Sequence, residues 1–240
     1  MAAECLARLL KERNINVSMQ RLMASEPEVP GDFDRLVVMF PVYAFNAPEP
    51  VLAWSSTLPA LHNKRAAVIS VSGGGEMCPN TACRHRPIKN LDSKGFDVDY
   101  EAMLLMPPKI AVAIKPPLDK MLLDILPDKL EVIADELQQN VTRRKSPFLL
   151  DRILVSMSVL ERFGAHLFGR RIRVSKACNG CAHCANNCPS GNITMLEGRP
   201  VFGKVCHLCM SCMYGCPTKA LSPGLAKVAM LRDGYDLKAL

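Results

Sequence analysis

The chain has 240 residues and a formal net charge of +7, and 49% of its residues are hydrophobic. This composition fits an ordinary globular protein with one large or two modest domains. No apolar run approaches the roughly 20 residues that a membrane-spanning helix needs, so we expect a soluble, cytoplasmic protein.

The first 140 residues predict an α/β domain in which strands and helices alternate. Continuous apolar runs at 36–40 and 66–71 are typical of strands buried on both faces. Alternating apolar residues predict a further strand over 15–22, and apolar residues at helical spacing predict a helix over 2–11. The other predicted elements are a strand at 100–106 and helices at 48–60, 80–94, 118–126 and 128–139. Strands that alternate with helices imply a parallel sheet.

Two loops that follow neighbouring predicted strands have an unusual composition. The first contains Tyr43, Ala44, Phe45 and Asn46, and the second contains Ser72, Gly73, Gly74 and Gly75. The two aromatic rings could flank a flat ligand, and the glycines allow a ligand to approach the backbone closely. Ligands of parallel sheets bind beyond the carboxyl ends of the strands, so the two loops together favour a flavin site. Taken singly, the first could be a hydrophobic plug and the second an ordinary strand-to-helix turn.

A segment at 148–168 has apolar residues at helical spacing and predicts an amphipathic helix. These residues are Leu149, Leu150, Ile153, Leu154, Met157, Leu160 and Phe163. We expect this helix to bridge two domains. A partner interface or a membrane-surface contact is the alternative.

Two cysteine runs follow the linker and carry the strongest chemical signal in the chain. The first reads Cys-x2-Cys-x2-Cys-x3-Cys-Pro from Cys178, and the second repeats this spacing from Cys206. The pattern is that of [4Fe–4S] ligands, in which the fourth cysteine of each run serves the other cluster. It therefore predicts one cluster on Cys178, Cys181, Cys184 and Cys216 and another on Cys188, Cys206, Cys209 and Cys212.

Other uses of cysteine fit this spacing less well. Zinc sites generally need two Cys-x2-Cys pairs well apart, whereas three cysteines share each run here and Cys-Pro closes both. Disulfide frameworks belong to small secreted domains, and we see no signal peptide. Elsewhere, Cys78 and Cys83 form a Cys-x4-Cys pair that could be a redox disulfide, although we expect unpaired, buried thiols.

The two cysteine runs are copies of one unit. At an offset of 28 residues all four cysteines and the following proline coincide, as do Val174 with Phe202 and Ile193 with Leu221. Self-similarity at a fixed offset indicates a duplication. Gly198 predicts a turn between short strands at 193–197 and 200–203. Apolar positions around each run are expected to shield the clusters from water.

On these cysteine runs, residues 172–222 resemble the two-cluster bacterial ferredoxins. With the loops at 41–48 and 72–75 before them, the chain from residue 1 to about 222 is similar to the flavodoxin–ferredoxin fusion proteins of anaerobic bacteria and archaea. The resemblance implies a flavodoxin-like doubly wound domain at 1–140, a helical linker at 141–171, a two-cluster α+β ferredoxin domain at 172–222 and a tail at 223–240. It also implies FMN, with the loops at 43–46 and 72–75 around the flavin ring.

The chain departs from this family at its start. Family members open with a strand and a Ser/Thr-Gly-Thr-Gly-Asn-Thr loop that holds the flavin phosphate at a helix N-terminus, whereas this sequence begins Met-Ala-Ala-Glu. In the 2-1-3-4-5 strand order, the missing strand would lie between the strands at 15–22 and 36–40. Either a segment lies upstream, which we favour, or the domain is remodelled and does not hold FMN.

These features predict a low-potential electron-transfer protein. The alternatives are a flavin-dependent reductase that uses the clusters as an internal wire, and an accessory subunit that docks on a larger anaerobic redox complex through residues 142–176. Basic residues in that span, at 143–145 and 170–176, are interpreted as solvated helix ends or as a docking face for an acidic redox partner. Aromatic residues are only 5% and are not interleaved with them, so nucleic-acid binding is not expected.

Overall fold

The computed structural model describes residues 2–23, 29, 32–43, 45–107, 116–147, 149–156 and 159–224. The helices of this part are α1 (Ala2–Glu12), α2 (Glu49–Thr57), α3 (His85–Ser93), α4 (Pro116–Asp124), α5 (Leu126–Gln138), α6 (Leu149–Ser156), α7 (Val159–Gly169), α8 (His183–Asn186) and α9 (Ser211–Tyr214). The strands are β1 (Arg35–Pro41), β2 (Lys64–Ser72), β3 (Phe96–Leu105), β4 (Arg173–Val174), β5 (Ile193–Leu196), β6 (Arg199–Phe202) and β7 (Leu221–Ser222). Within these ranges, no helix has the length and apolar character needed to cross a membrane. Most of the predicted tail at 223–240 lies outside the described residues.

Three parallel strands form the central sheet in the order β1-β2-β3. In register, Val38 pairs with Val68, and Val68 pairs with Glu101 on its other side. Residues 66–70 of the middle strand are all buried, because helices cover the sheet on both faces. The predicted α/β fold with a parallel sheet is confirmed at this level.

Two hydrophobic cores hold the helices on the sheet. The core on one face joins α1 and α5 to the strands through Leu6, Leu10, Leu130, Ile69 and Tyr100. The core on the other face joins α2 and α3 to the strands through Val51, Trp54, Leu91, Val38 and Val68. In α1 the apolar residues recur three and four positions apart, which gives the helix one buried stripe. The first unit of the protein is therefore a three-layer α/β/α arrangement.

The strand predicted over 15–22 is wrong, because these residues form neither helix nor strand. Ile15 and Val17 pack on the α1–α5 core, and Leu22 packs on the core of the opposite face. A strand is stable only where a neighbour satisfies its N–H and C=O groups, and among the described strands β1 pairs with β2 alone. The alternating apolar residues are thus used for packing and not for strand pairing.

Other differences from the predicted elements concern their boundaries. The helix predicted at 80–94 is a 3-10 turn, Asn80–Ala82, followed by α3. Pro87 cannot donate a backbone hydrogen bond and lies in the first turn of α3, where none is required. The strand predicted at 100–106 begins earlier, at Phe96, and the described residues of the amphipathic segment at 148–168 are helical, as α6 and α7.

Residues 141–147 run beside β3 before the chain enters α6. The backbone N–H of Arg143 donates to the Asp99 carbonyl (2.9 Å), and the N–H of Glu101 donates to the Arg143 carbonyl (2.8 Å). Tyr100 and Arg143 thereby form a parallel bridge. The reversal after α5 uses Asn140, whose φ of 57° lies in the left-handed region that asparagine tolerates. The first part of the linker is therefore attached to the outer edge of the sheet.

Residues 173–222 form a second, smaller unit with two short antiparallel strand pairs, β4 with β7 and β5 with β6. Val174 pairs with Leu221, and Ile193 pairs with Phe202. These two pairs are equivalent under the 28-residue offset, so the first strand of each copy pairs with the second strand of the other copy. The hairpin predicted around Gly198 is present, and this glycine has a φ of 74°.

Candidate metal centre

The sequence duplication is repeated in the backbone of the cysteine runs. Three pairs of equivalent residues share a positive φ angle: Gly180 and Leu208, Ala182 and Met210, and Gly191 and Lys219. The short helices α8 and α9 follow the second of these pairs in both copies. The two runs therefore adopt the same loop conformation, which carries the same cysteine spacing.

The eight cysteines surround two cavities. Cavity A, of about 310 Å³, is lined by Cys178, Cys181, Cys184 and Cys216. Cavity B, of about 380 Å³, is lined by Cys188, Cys206, Cys209 and Cys212. Each cavity thus takes three cysteines from one run and the last cysteine from the other run. This is the grouping that the spacing predicts for two [4Fe–4S] clusters, and binding of the clusters themselves stays a prediction.

The cysteines surround these cavities without meeting at a point. In the part of the chain that the structure describes, no group of three or more His, Cys, Asp or Glu side chains is placed to hold a metal ion. All four thiolates of a zinc site contact one ion at about 2.3 Å, whereas the thiolates of a four-iron cluster bind separate irons.

Backbone and hydroxyl groups point at the last cysteine of each run. The N–H of Asn192 donates to the sulfur of Cys188, and the N–H of Ala220 donates to that of Cys216, both at 3.3 Å. The hydroxyls of Ser190 and Thr218 lie 3.5 and 3.7 Å from the same two sulfurs. Such contacts stabilise a thiolate ligand and tune the potential of a bound cluster.

Burial raises the pKa of several thiols in this unit. The pKa of Cys212 is raised to about 12, first by burial and then by the neighbouring Cys209. Burial also raises the pKa of Cys184 and of Cys206. At Cys216, burial acts to raise the pKa, but hydrogen bonds, first of all from the Ala220 N–H, outweigh it and lower the pKa. Binding of metal at the three raised thiols must displace protons.

Cavity B lies against the end of α7. Phe168 and Ile172 line it. A Cβ atom at Gly169 would overlap the Cβ of Cys206 and lie 2.9 Å from its sulfur, so only glycine fits this position. Arg21, from the irregular segment after α1, donates to the Asn187 side chain at 3.2 Å, beside Cys188.

The loop at 41–48 forms a tight turn at the carboxyl end of β1. Tyr43 and Asn46 exchange two backbone hydrogen bonds, of 3.0 and 2.9 Å, and Phe45 is exposed with a φ of 58°. Ala44 lies outside the described residues. The pKa of the Tyr43 phenol is raised, first by burial and then by the nearby Cys209 thiol. The Cys209 thiol of the second cysteine run therefore acts electrostatically on this loop.

The glycine loop at 72–75 is held by one amide side chain. Asn80 donates to the Ser72 hydroxyl and to the Gly75 carbonyl, both at 3.1 Å. The N–H of Gly74 also donates to the Ser72 hydroxyl (3.1 Å), and Gly75 has a φ of 64°. The N–H of Val42 donates to the Val71 carbonyl (2.8 Å), so the structure brings the two loops to the same edge of the sheet, as predicted. Flavin binding there stays a prediction.

Arg84 is a buried residue that the sequence interpretation missed. Its guanidinium donates to Glu101 and Glu76, both at 2.9 Å, and to the Ser70 hydroxyl at 2.8 Å. The side chains of Arg84 and Glu101 are 2% and 3% exposed, and a buried ion pair of this kind needs full hydrogen bonding. The available signal was Glu101, the one charged residue within the strand predicted at 100–106.

The basic residues at 143–145 are occupied inside the chain. Arg143 forms an ion pair with Glu136 at 2.9 Å, and Arg144 approaches Glu101 at 3.7 Å. Lys145 forms an ion pair with Glu76. These three cations attach the linker to the first unit, and partner docking through residues 142–176 stays a prediction.

The remaining cysteines lie in the first unit as free thiols. Cys5 packs on the α1–α5 core. Cys83 is fully buried, and burial raises its pKa. Cys78 is exposed, against our expectation of a buried thiol, and its pKa is raised by a hydrogen bond with Asp151 of α6.

In comparisons with known proteins, no family model and no curated protein matches this chain. The interpretation of the two cavities therefore depends on their own residues.

Proposed function

We propose that this protein is an electron-transfer protein that binds two [4Fe–4S] clusters. The observation that carries the proposal is the division of the eight cysteines into two sets of four, each around one cavity, with the last cysteines exchanged between runs. Clusters of this type accept and release single electrons when bound. No acid–base or nucleophilic residue is needed in such a protein, because its task is to hold and shield the cofactors.

The residues around the cavities perform that task. Six buried residues form the hydrophobic core of the unit: Ile172, Cys184, Ile193, Met210, Met213 and Leu221. Cys188, Cys212 and Cys216 are partly buried against this core. The hydrogen bonds to Cys188 and Cys216 stabilise negative charge on the exchanged ligands. Exchange of these ligands ties the two runs together, so loss of one run would leave both sites incomplete.

We further propose that the first unit is of the flavodoxin type and that its loops at 43–46 and 72–75 belong to a flavin site. Two observations support this. The loops lie at one carboxyl edge of the sheet, and Tyr43 lies near Cys209. A flavin there would lie beside cavity B, which favours a flavin-dependent reductase as the second candidate function. An accessory subunit of a larger redox complex is a third candidate, and copurification of partner subunits would support it.

Anaerobic reconstitution with iron and sulfide tests the main proposal. We expect about eight iron atoms per chain, from two clusters of four, and an EPR signal of two interacting reduced clusters after dithionite. Zinc binding with little iron, or about four iron atoms in a fully reconstituted sample, would contradict the two-cluster assignment.

The flavin is tested separately, by fluorescence of the supernatant after denaturation. FMN in stoichiometric amount supports the reductase candidate, and Phe45→Ala should then weaken FMN binding while iron content stays unchanged. Absence of flavin from both this chain and a version extended upstream would exclude the reductase and leave the two-cluster carrier.

A further inference from the structure

The two cavities differ in their surroundings. Cavity B is lined by Phe168 of α7, and Arg21 of the first unit donates to the Asn187 side chain, beside Cys188 of this cavity. Cavity A includes Cys181, which is the one exposed thiol among the eight cysteines that line the cavities. Electrons that enter or leave the protein by contact with another molecule therefore have their shortest route at cavity A.

A basic and partly apolar surface surrounds Cys181. Arg199 donates to the carbonyls of Val174 and Ser175, at 3.2 and 3.1 Å, which places its guanidinium close to the start of the first cysteine run. Lys176 is exposed on that same segment. We call the exposed residues Lys176, Cys181, Leu196 and Arg199 the port surface.

The hairpin of β5 and β6 brings Leu196 to this surface. A Cβ atom at Gly180 would lie 2.8 Å from the carbonyl oxygen of Gly198, so the hairpin turn lies directly against the loop that carries Cys181. Leu196 is 63% exposed. Leu196 pairs with Arg199 across the hairpin, and the acidic Glu197 lies at the turn between them. An exposed apolar residue beside a positive charge is typical of a contact surface, because the core of an interface is apolar and its rim is charged.

Charge in this part of the chain has one sign. Residues 170–224 contain seven lysines and arginines and one acidic residue, Glu197, so they contribute +6 of the net charge of +7. The basic residues at 143–145 are ion-paired inside the chain. The excess positive charge is thus concentrated on the unit that contains the cavities, where it attracts negatively charged partners.

We infer that the port surface is the docking site of an acidic one-electron carrier protein, and that cavity A is the outer and cavity B the inner site of the path. This inference depends on the proposed function. In one encounter the carrier is oxidised by one electron and the site at cavity A is reduced by the same electron, with no bond formed and no proton transferred. The reverse encounter removes the electron.

Stopped-flow reduction of the reconstituted protein tests the docking site. The probe is a reduced acidic two-cluster ferredoxin, and dicationic methyl viologen is the comparison donor. With ferredoxin we expect the second-order rate constant to fall on the order of tenfold between low and 0.5 M salt. The rate with methyl viologen should not fall. The double variant Lys176→Glu, Arg199→Glu should slow ferredoxin by on the order of tenfold at low salt.

The control is Lys11→Glu, which reverses one charge at an exposed position of α1 and is compared per charge reversed; it should leave the ferredoxin rate nearly unchanged. Carbodiimide cross-linking gives a readout that does not depend on electron transfer, since it joins an exposed lysine to a partner carboxylate. We expect Lys176 among the cross-linked residues.

The outcomes separate this inference from the proposed function. Two results, each at normal iron content, would overturn the docking site and leave the cluster proposal intact. One is a ferredoxin rate that does not depend on salt, and the other is an equal effect, per charge reversed, of the double variant and of Lys11→Glu. Either result would mean that the basic residues only balance the charge of the bound clusters. Failure to bind iron would instead overturn the proposed function.

Discussion

The last cysteine of each run has the same surroundings in both copies, namely an N–H four residues later and a hydroxyl two residues later. Cys188 lines the cavity of the second run, and Cys216 lines the cavity of the first. Spacing alone predicted this exchange, because the ligand pattern of the runs fixes it. The hydrogen bonds to sulfur could not be predicted, since they depend on the turns at Gly191 and Lys219.

The exchange predicts different iron contents for two double variants. Cys178→Ala with Cys216→Ala removes two ligands of cavity A, so about four iron atoms per chain should remain. Cys178→Ala with Cys188→Ala removes one ligand from each cavity and should leave little iron. Iron and sulfide analysis after reconstitution measures this difference, and Cys5→Ala is the control. If each run bound its own cluster, the two results would be reversed.

The contacts of Arg84 were harder to predict than the cysteine exchange, because the partners of this side chain come from two strands and a loop. Its replacement by Met would leave Glu101 and Ser70 buried without their donor. We expect the free energy of unfolding, from urea titration, to fall by about 3–5 kcal/mol. The double variant Arg84→Met, Glu101→Gln should recover part of this loss. An effect below about 1 kcal/mol for the single variant would contradict the buried network.

At the level of elements, the sequence correctly predicted the strands and helices that a local pattern of apolar residues determines. The continuous apolar runs became β1 and β2, and the helical spacing at 2–11 became α1. Residues 15–22 have an equally clear alternation but no strand beside them, so they pack as an irregular segment. A strand forms beside a partner strand that is often distant in sequence. The periodicity of one segment does not identify that partner. The bridge between Arg143 and Tyr100 of β3 was not predicted, because these residues are also distant in sequence.

Helix α7 provides a matched pair of glycines. Gly169 lies against Cys206, whereas a Cβ atom at Gly164 would meet nothing within 4 Å. Gly169→Ala should displace Cys206 and reduce the iron content to about four atoms per chain. Gly164→Ala should keep full iron content and stabilise the helix by up to about 1 kcal/mol. Iron analysis and thermal unfolding measure the two effects. Equal iron content in the two variants would argue against close packing of α7 on cavity B.

At the level of the whole molecule, Glu76 connects the glycine loop to the linker. Burial acts to raise its pKa, but the ion pairs with Lys145 and Arg84 outweigh burial and lower the pKa below the usual 4.5. A lowered pKa in the folded state stabilises the protein above the unfolded pKa, and this contribution is lost as the pH falls.

Glu76→Gln should therefore destabilise the protein at pH 7 by at most about 1 kcal/mol, because the pair is partly exposed. The difference from the natural protein should shrink as the pH falls below 4.5. Urea unfolding at pH 7, 5 and 4 measures it, with Glu12→Gln on α1 as the control. A difference that stays constant over this range would show that the Glu76 charge does not contribute.

The strand exchange in the second unit also bears on its origin. In each copy of the 28-residue repeat, one strand pairs with a strand of the other copy and one cysteine lines the cavity of the other copy. Such a surface is complementary to itself, as in a twofold symmetric dimer. A single ancestral copy would thus have been complete only as a homodimer, and gene duplication would have turned that dimer into one chain. Once joined, the copies were free to diverge, as Gly180 and Leu208 have at the same left-handed turn.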